Sequence, residues 1–128
     1  PVDGKFPTAP EGFLTLLLWI DGKKLPGAPY MEAVWFNTKN DTGPEKHSHD
    51  FDEFIGFIGS DPENPSNLGA NIEFFIEDEK ISVSESCLIY IPKGVNHSPL
   101  LVPKLDRPII HFSGGNGGDY KRKGSDKF

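Results

Sequence analysis

Residues that break helices recur so often in this chain that no long helix can be laid down anywhere along it. Fourteen glycines and twelve prolines punctuate 128 residues. Proline removes a helix hydrogen bond and clashes with the preceding turn, and glycine carries an entropic cost in any regular element. Between these breaks lie short runs of β-branched, aliphatic and aromatic residues, the pattern of strands bounded by turns. The predicted strands are residues 13–20, 31–37, 54–58, 72–76, 81–83, 87–91, 98–102 and 109–112. Eight short strands without helical periods between them describe an all-β sandwich or barrel rather than alternating β and α.

Local signals refine this outline. Asp21-Gly22 ends the first run with a turn dipeptide, and the polar residues 77–80 join two runs as a hairpin would. Residues 60–69, with Pro62 and Pro65, have no apolar period and read as a surface loop, either a lid over a pocket or a tolerated insertion. Residues 114–118 have the composition of a flexible spacer, and Lys121, Arg122, Lys123 and Lys127 make a basic tail after it. The expected organisation is one β-barrel domain over residues 1–113, then a spacer and tail over 114–128.

Bulk properties narrow the partners. A chain of 128 residues fits one domain with its own core. Nineteen acidic against thirteen basic residues leave a formal charge of −6, which argues against nucleic acid as a partner. The longest apolar run, residues 16–20, is far short of the roughly 20 needed to cross a bilayer, so no membrane partner is expected. Residues 1–10 lack a basic start followed by an apolar core. Cys87 stands alone, excluding an internal disulfide and fitting a reducing compartment. A cytoplasmic location is the expectation.

The chemistry concentrates in a few positions. In an extended backbone, residues i and i+2 share a face, so His47 and His49 point the same way. Glu53 follows four residues later, across a polar joint that can return it towards the imidazoles. Pro92 and Gly94 mark a turn, after which His97 opens another strand. Any one of these residues alone could be a surface side chain; together they form a candidate set of metal ligands. Three imidazoles and one carboxylate suit Fe(II), Mn(II), Ni(II), Cu(II) or Zn(II). With a divalent ion the set nets about +1, favouring an anionic or enolisable small molecule at an open coordination position. His111, between Ile110 and Phe112, either lines the pocket or faces solvent and is not counted as a ligand.

In these residues the sequence resembles the cupin superfamily of small double-stranded β-helix, or jelly-roll, barrels. The first family motif corresponds to residues 47–59, with His47, His49, Glu53 and Gly59, and the second to residues 86–97, with Pro92, Gly94 and His97. Ser86 stands where the second motif usually carries glycine, and Leu101 where it often ends in asparagine. The resemblance implies that His47, His49, Glu53 and His97 hold one divalent transition metal (Fe, Mn, Ni, Zn or Cu). It further implies a metal-dependent oxygenase, isomerase or lyase acting on a small organic acid, enol or phenolic compound. Glu53 would bind the metal or act as a base. The alternatives are a metabolite-binding module without turnover and a protein whose metal is structural. Phe36, Phe57, Phe74, Ile89 and Tyr90 are candidates to line the cavity. A homodimer is implied as well, with residues 13–20 either adding to a neighbour's sheet or covering their own barrel.

Overall fold

The computed structural model describes residues 1–2 and 4–117. These form eight strands: β1 (Leu14–Ile20), β2 (Tyr30–Phe36), β3 (Glu53–Ile58), β4 (Asn67–Ile76), β5 (Glu79–Glu85), β6 (Cys87–Ile91), β7 (His97–Leu105) and β8 (Ile109–Gly115). All eight predicted strands are present, and no helix occurs among the described residues, so none there is long and apolar enough to cross a membrane. Every pairing is antiparallel. One sheet has the order β1-β2-β8-β3-β6 and the other β5-β4-β7. Setting the last strand between β2 and β3 is what wraps the chain into a double-stranded β-helix.

The core lies between the two sheets because alternate residues of each strand point inward. Val34, Phe36, Ile55, Phe57 and Ile109 meet Leu68, Ile72, Phe74, Leu100 and Val102 from the opposite sheet in one continuous cluster. Burying each of these side chains is worth about 1.5–3 kcal/mol. Phe13 completes the cluster from the residue before β1, so this segment covers its own barrel. Phe36, Phe57 and Phe74 are core residues and Ile89 packs against them. Tyr90, expected to line a cavity, instead faces outward and is half exposed.

Two further readings are corrected. Residues 67–69, predicted as part of the 60–69 loop, belong to β4, where Leu68 and Ala70 are buried. Gly69, at φ +72°, lies in an irregular stretch of the β4–β5 register between Asn67 and Ile72, which hides the strand from a search for simple alternation. The remaining loop follows Ile58, five residues and about 17 Å along β3 from Glu53, so it cannot be a lid over Glu53. Its ties are local: Ser86 Oγ accepts from the Gly59 amide (2.9 Å) and donates to the Pro65 carbonyl (2.6 Å). The glycine run at 114–118 starts inside β8, which extends through Gly114 and Gly115 and pairs there with both β2 and β3. The basic tail lies outside the described residues.

Candidate metal centre

Backbone pairing brings the histidines together. The His47 amide donates to the His97 carbonyl (3.0 Å) and the His97 amide returns a bond to the His47 carbonyl (2.8 Å). Two residues exchanging bonds in this way carry their side chains on the same face, a few ångströms apart. The His47 and His97 ring centroids are 4.5 Å apart. His49, two residues on, joins them at 5.0 Å from His47 and 5.1 Å from His97. The Gly94 amide donates to the His49 carbonyl (2.9 Å), fastening the turn before His97 to the first histidine pair.

Glu53 returns to this cluster because Asp52 anchors the joint before β3. Asp52 Oδ1 accepts from the Lys93 amide (3.0 Å), and the Asp52 amide donates to Asn116 Oδ1 (3.1 Å). Glu53 then starts β3 opposite Ile91 on one side and Gly115 on the other. Its Oε1 lies 3.5 Å from His49 Nε2 and 3.3 Å from His97 Nε2. Each of the four side-chain-bearing residues is 3% exposed or less.

The donor set fits a first-row divalent ion. One nitrogen from each of His47, His49 and His97 lies within 4.8 Å of the others. His47 Nδ1 donates to the Glu45 carbonyl (2.6 Å) and His97 Nδ1 to the Val95 carbonyl (3.0 Å). With Nδ1–H engaged, Nε2 of each ring is the atom left to face the interior, where it could ligate a metal in the neutral form, and the carbonyl bond fixes the ring's orientation. Burial pushes the Glu53 carboxyl up, but bonds from His49 and His97, the charge on His49 and a bond from Tyr30 outweigh it and hold the group well below the usual carboxylate range.

Two residues that the sequence did not single out complete the site. Tyr30, at the start of β2, donates its hydroxyl to Glu53 Oε2. Tyr30 and Glu53 both face Gly115 across the sheet, so the glycine leaves the phenol and the carboxylate to meet over a position without a side chain. Phe51 stacks on His49 (centroids 4.8 Å, planes 16° apart) and meets Tyr30 edge-on at 5.5 Å. A Cβ on Gly115 would come within 2.7 Å of the Phe51 ring, so the glycine is the seat of the phenyl group. The only sequence signal for Phe51 was its place between His49 and Glu53. Tyr30 had none short of the strand register.

His111 is interior but stands apart from the cluster. It pairs with Phe57 and Val34 across β8, four residues from the Gly115 that faces Glu53. Its ring lies between Phe36 (4.9 Å) and Phe57 (4.8 Å), and Nδ1 donates to the Gly56 carbonyl (3.0 Å). Burial pushes this imidazole down to about 4, against opposing pulls from the Gly56 carbonyl and the Glu53 charge. Two cavities of about 310 Å³ each lie away from the centre, one lined in part by Phe6, Leu14 and Leu16, the other by Lys39, Asn40 and Val102.

No family model matches the sequence, and neither does any curated protein. Solved structures do match it in shape. A recombinant oxalate oxidase in complex with glycolate superposes with a TM-score of 0.58 at 16% identity, over 94% of this chain and 63% of the oxidase. The polyketide cyclase RemF from Streptomyces resistomycificus gives 0.56 at 14% identity, over 89% of this chain and 72% of the cyclase. The chain thus spans less than two thirds of the oxalate oxidase, and at these identities the likeness is one of fold.

Proposed function

We propose that this chain, which has the cupin fold, holds one divalent transition metal through His47, His49, Glu53 and His97 and uses it to bind a small organic acid, enol or phenolic compound. The reading extends to an enzyme of the oxygenase, isomerase or lyase type. The observation that supports it most is the cluster of three buried imidazoles, two with Nδ1 already committed to carbonyls, with a Glu53 carboxylate oxygen facing two of them, His49 and His97. A bound divalent ion would supply Lewis acidity, polarising an oxygen of the small molecule. Three neutral imidazoles and one carboxylate leave such a site at about +1, which suits an acid or enolate. The glycolate complex of the oxalate oxidase accords with that substrate class. A cytoplasmic setting belongs to the same reading, since Cys87 asks for no oxidising compartment.

The residues divide the work. Tyr30 engages Glu53 Oε2, leaving Oε1 to face the imidazoles. Held well below the carboxylate range, Glu53 is a weak proton acceptor, which favours the ligand role over the base role. Phe51 covers one face of the His49 ring. That closure also supports a second reading, a structural metal, because every proposed ligand is nearly inaccessible.

One experiment separates the two. Protein purified without added metal or chelator should contain one first-row ion per chain by elemental analysis. After replacement by Mn(II), enhanced relaxation of water protons that glycolate suppresses supports a ligand-binding centre. A bound ion with neither enhancement nor response to glycolate assigns it a structural role. Protein that arrives metal-free and takes up no first-row ion overturns both.

A further inference from the structure

The two residues after β8 carry a chemistry that the metal reading does not use. Asn116 and Gly117 lie where the backbone leaves the ladder and bends. Seven asparagines occur in the sequence, and Asn116 alone is followed by glycine. Asn116 is exposed, and its Oδ1 accepts from the Asp52 amide at 3.1 Å. The Asp52 amide is thereby placed as a donor in an oxyanion hole is placed, ready to stabilise negative charge arriving on that oxygen. Gly117 has no side chain to shield its own nitrogen, and none could be added, since a Cβ there would lie 2.5 Å from the Phe51 ring. An electrophilic carbon, a polarising donor and an unshielded amide nitrogen therefore meet within two residues.

We propose that Asn116 is a self-modification site, converting to aspartate and isoaspartate through a cyclic imide. The Gly117 nitrogen attacks Asn116 Cγ, forming a C–N bond and moving negative charge onto Oδ1, against the Asp52 amide. The Cγ–Nδ2 bond then breaks, and ammonia leaves with the proton that the Gly117 nitrogen gives up. Water opens the imide. Cleavage between Cγ and the Gly117 nitrogen leaves aspartate, whereas cleavage between the main-chain carbonyl carbon and that nitrogen leaves isoaspartate. The sum is one water consumed and one ammonia released, with no change of oxidation state.

The position gives the change a consequence. The Gly117 carbonyl accepts from the Tyr30 amide (2.9 Å), and the Asn116 amide donates to the Asp52 carbonyl (3.3 Å). Isoaspartate routes the main chain through Cβ and Cγ, one carbon longer than before. These two bonds and the seat of Phe51 on Gly117 then cannot all keep their geometry. Tyr30 engages Glu53 and Asp52 precedes it, so the modification loosens the carboxylate end of the cluster. An effect on metal affinity rests on the metal reading; the modification itself does not.

Incubating the full chain in mildly alkaline buffer, folded and in urea, followed by peptide mass mapping, tests this. The peptide holding Asn116 should gain the mass of an amide-to-acid change several-fold faster folded than unfolded, with isoaspartate among the products. Asn116→Gln should remove the change, and the urea comparison decides if that variant does not fold. In the aged folded protein, hydrogen exchange at the Tyr30 and Asp52 amides should quicken by about tenfold. Affinity for Zn(II) should fall as the isoaspartate content rises. A reaction no faster in the folded chain than in urea, or one that starts at another asparagine, overturns the proposal. Unchanged exchange at Tyr30 and Asp52 in isoaspartate-bearing protein overturns the coupling to the cluster. Fresh protein that takes up no Zn(II) counts against the metal reading alone, while mass mapping still decides the modification.

Discussion

The barrel buries imidazoles in two settings, and the same side chain behaves in opposite ways. At one end, His47, His49 and His97 cluster together, two of them facing a carboxylate held well below the usual range, and backbone carbonyls fix two of the rings. About 13 Å further along the sheet, His111 sits between two phenyl rings with one carbonyl for company and is pushed down to about 4. In the cluster, Nε2 of His49 and of His97 faces a carboxylate oxygen. His111 behaves as a flat aromatic wedge with one polar edge. Burial alone therefore says nothing about a histidine's task; what its Nε2 faces does.

Removing the metal should break this contrast most strongly. Saturating the site at a thousand times its dissociation constant stabilises the folded chain by about 4 kcal/mol, provided the unfolded chain does not bind. A chelator should therefore lower the thermal midpoint by on the order of 15 °C, and re-addition of the ion should restore it. His49→Ala should abolish both responses, whereas His111→Phe should leave both intact. A chelator that changes nothing in metal-replete protein would make the cluster a polar patch in the core and no different in kind from His111.

Acidification should sharpen the same contrast from the other side. The unfolded chain protonates this imidazole near its ordinary value of 6.5, while the folded chain resists down to about 4. Between those limits the unfolded state holds the extra proton, so stability falls as pH drops. The loss reaches about 1.4 kcal/mol per pH unit and about 3 kcal/mol over the window. His111→Phe keeps the stack on Phe36 and Phe57 but leaves the Gly56 carbonyl without its donor. The variant should be less stable than the parent at pH 7, and the gap should close by about 3 kcal/mol near pH 4. Urea denaturation of both proteins at several pH values measures this, and a constant gap would show that His111 is free to protonate where it stands.

Much of this arrangement was legible in the amino acids, and the gaps have physical causes. The eight strands could be read because turns rich in glycine and proline bracket apolar runs of nearly the right length. His47 and His49 could be paired because extended backbone repeats every two residues. Strand continued unseen where side chains are small: Asn67–Ala70 and Gly114-Gly115 lack the bulk that marks a strand, yet they carry ladder bonds and, at Gly115, seat Phe51. Sidedness was the second gap. Tyr90 and Ile89 look equivalent in a one-dimensional pattern, and only pairing with β3 shows which one faces the core. Ser86, a departure from the expected glycine, gave no hint that its hydroxyl would tie Gly59 to Pro65.

Tyr30 is the case in which register alone reveals a contact with the candidate site, and its removal is the finest test of the contrast. Tyr30→Phe keeps the ring that meets Phe51 edge-on and deletes only the hydroxyl that engages Glu53 Oε2. The carboxylate then loses one of the bonds that hold it low, so its pKa should move up towards the ordinary range and protons should compete better with metal. Groups that orient a ligand from behind contribute about 10–100-fold in metal affinity. A tenfold loss, about 1.4 kcal/mol, is expected here because the two imidazole contacts to Glu53 remain. Calorimetric titration of metal-free protein with Zn(II) should show that loss growing as the pH falls, since protonation of a freed carboxylate is its cause. An affinity unchanged at every pH would reduce Tyr30 to a packing partner of Phe51, and the carboxylate would then owe its low pKa to the imidazoles alone.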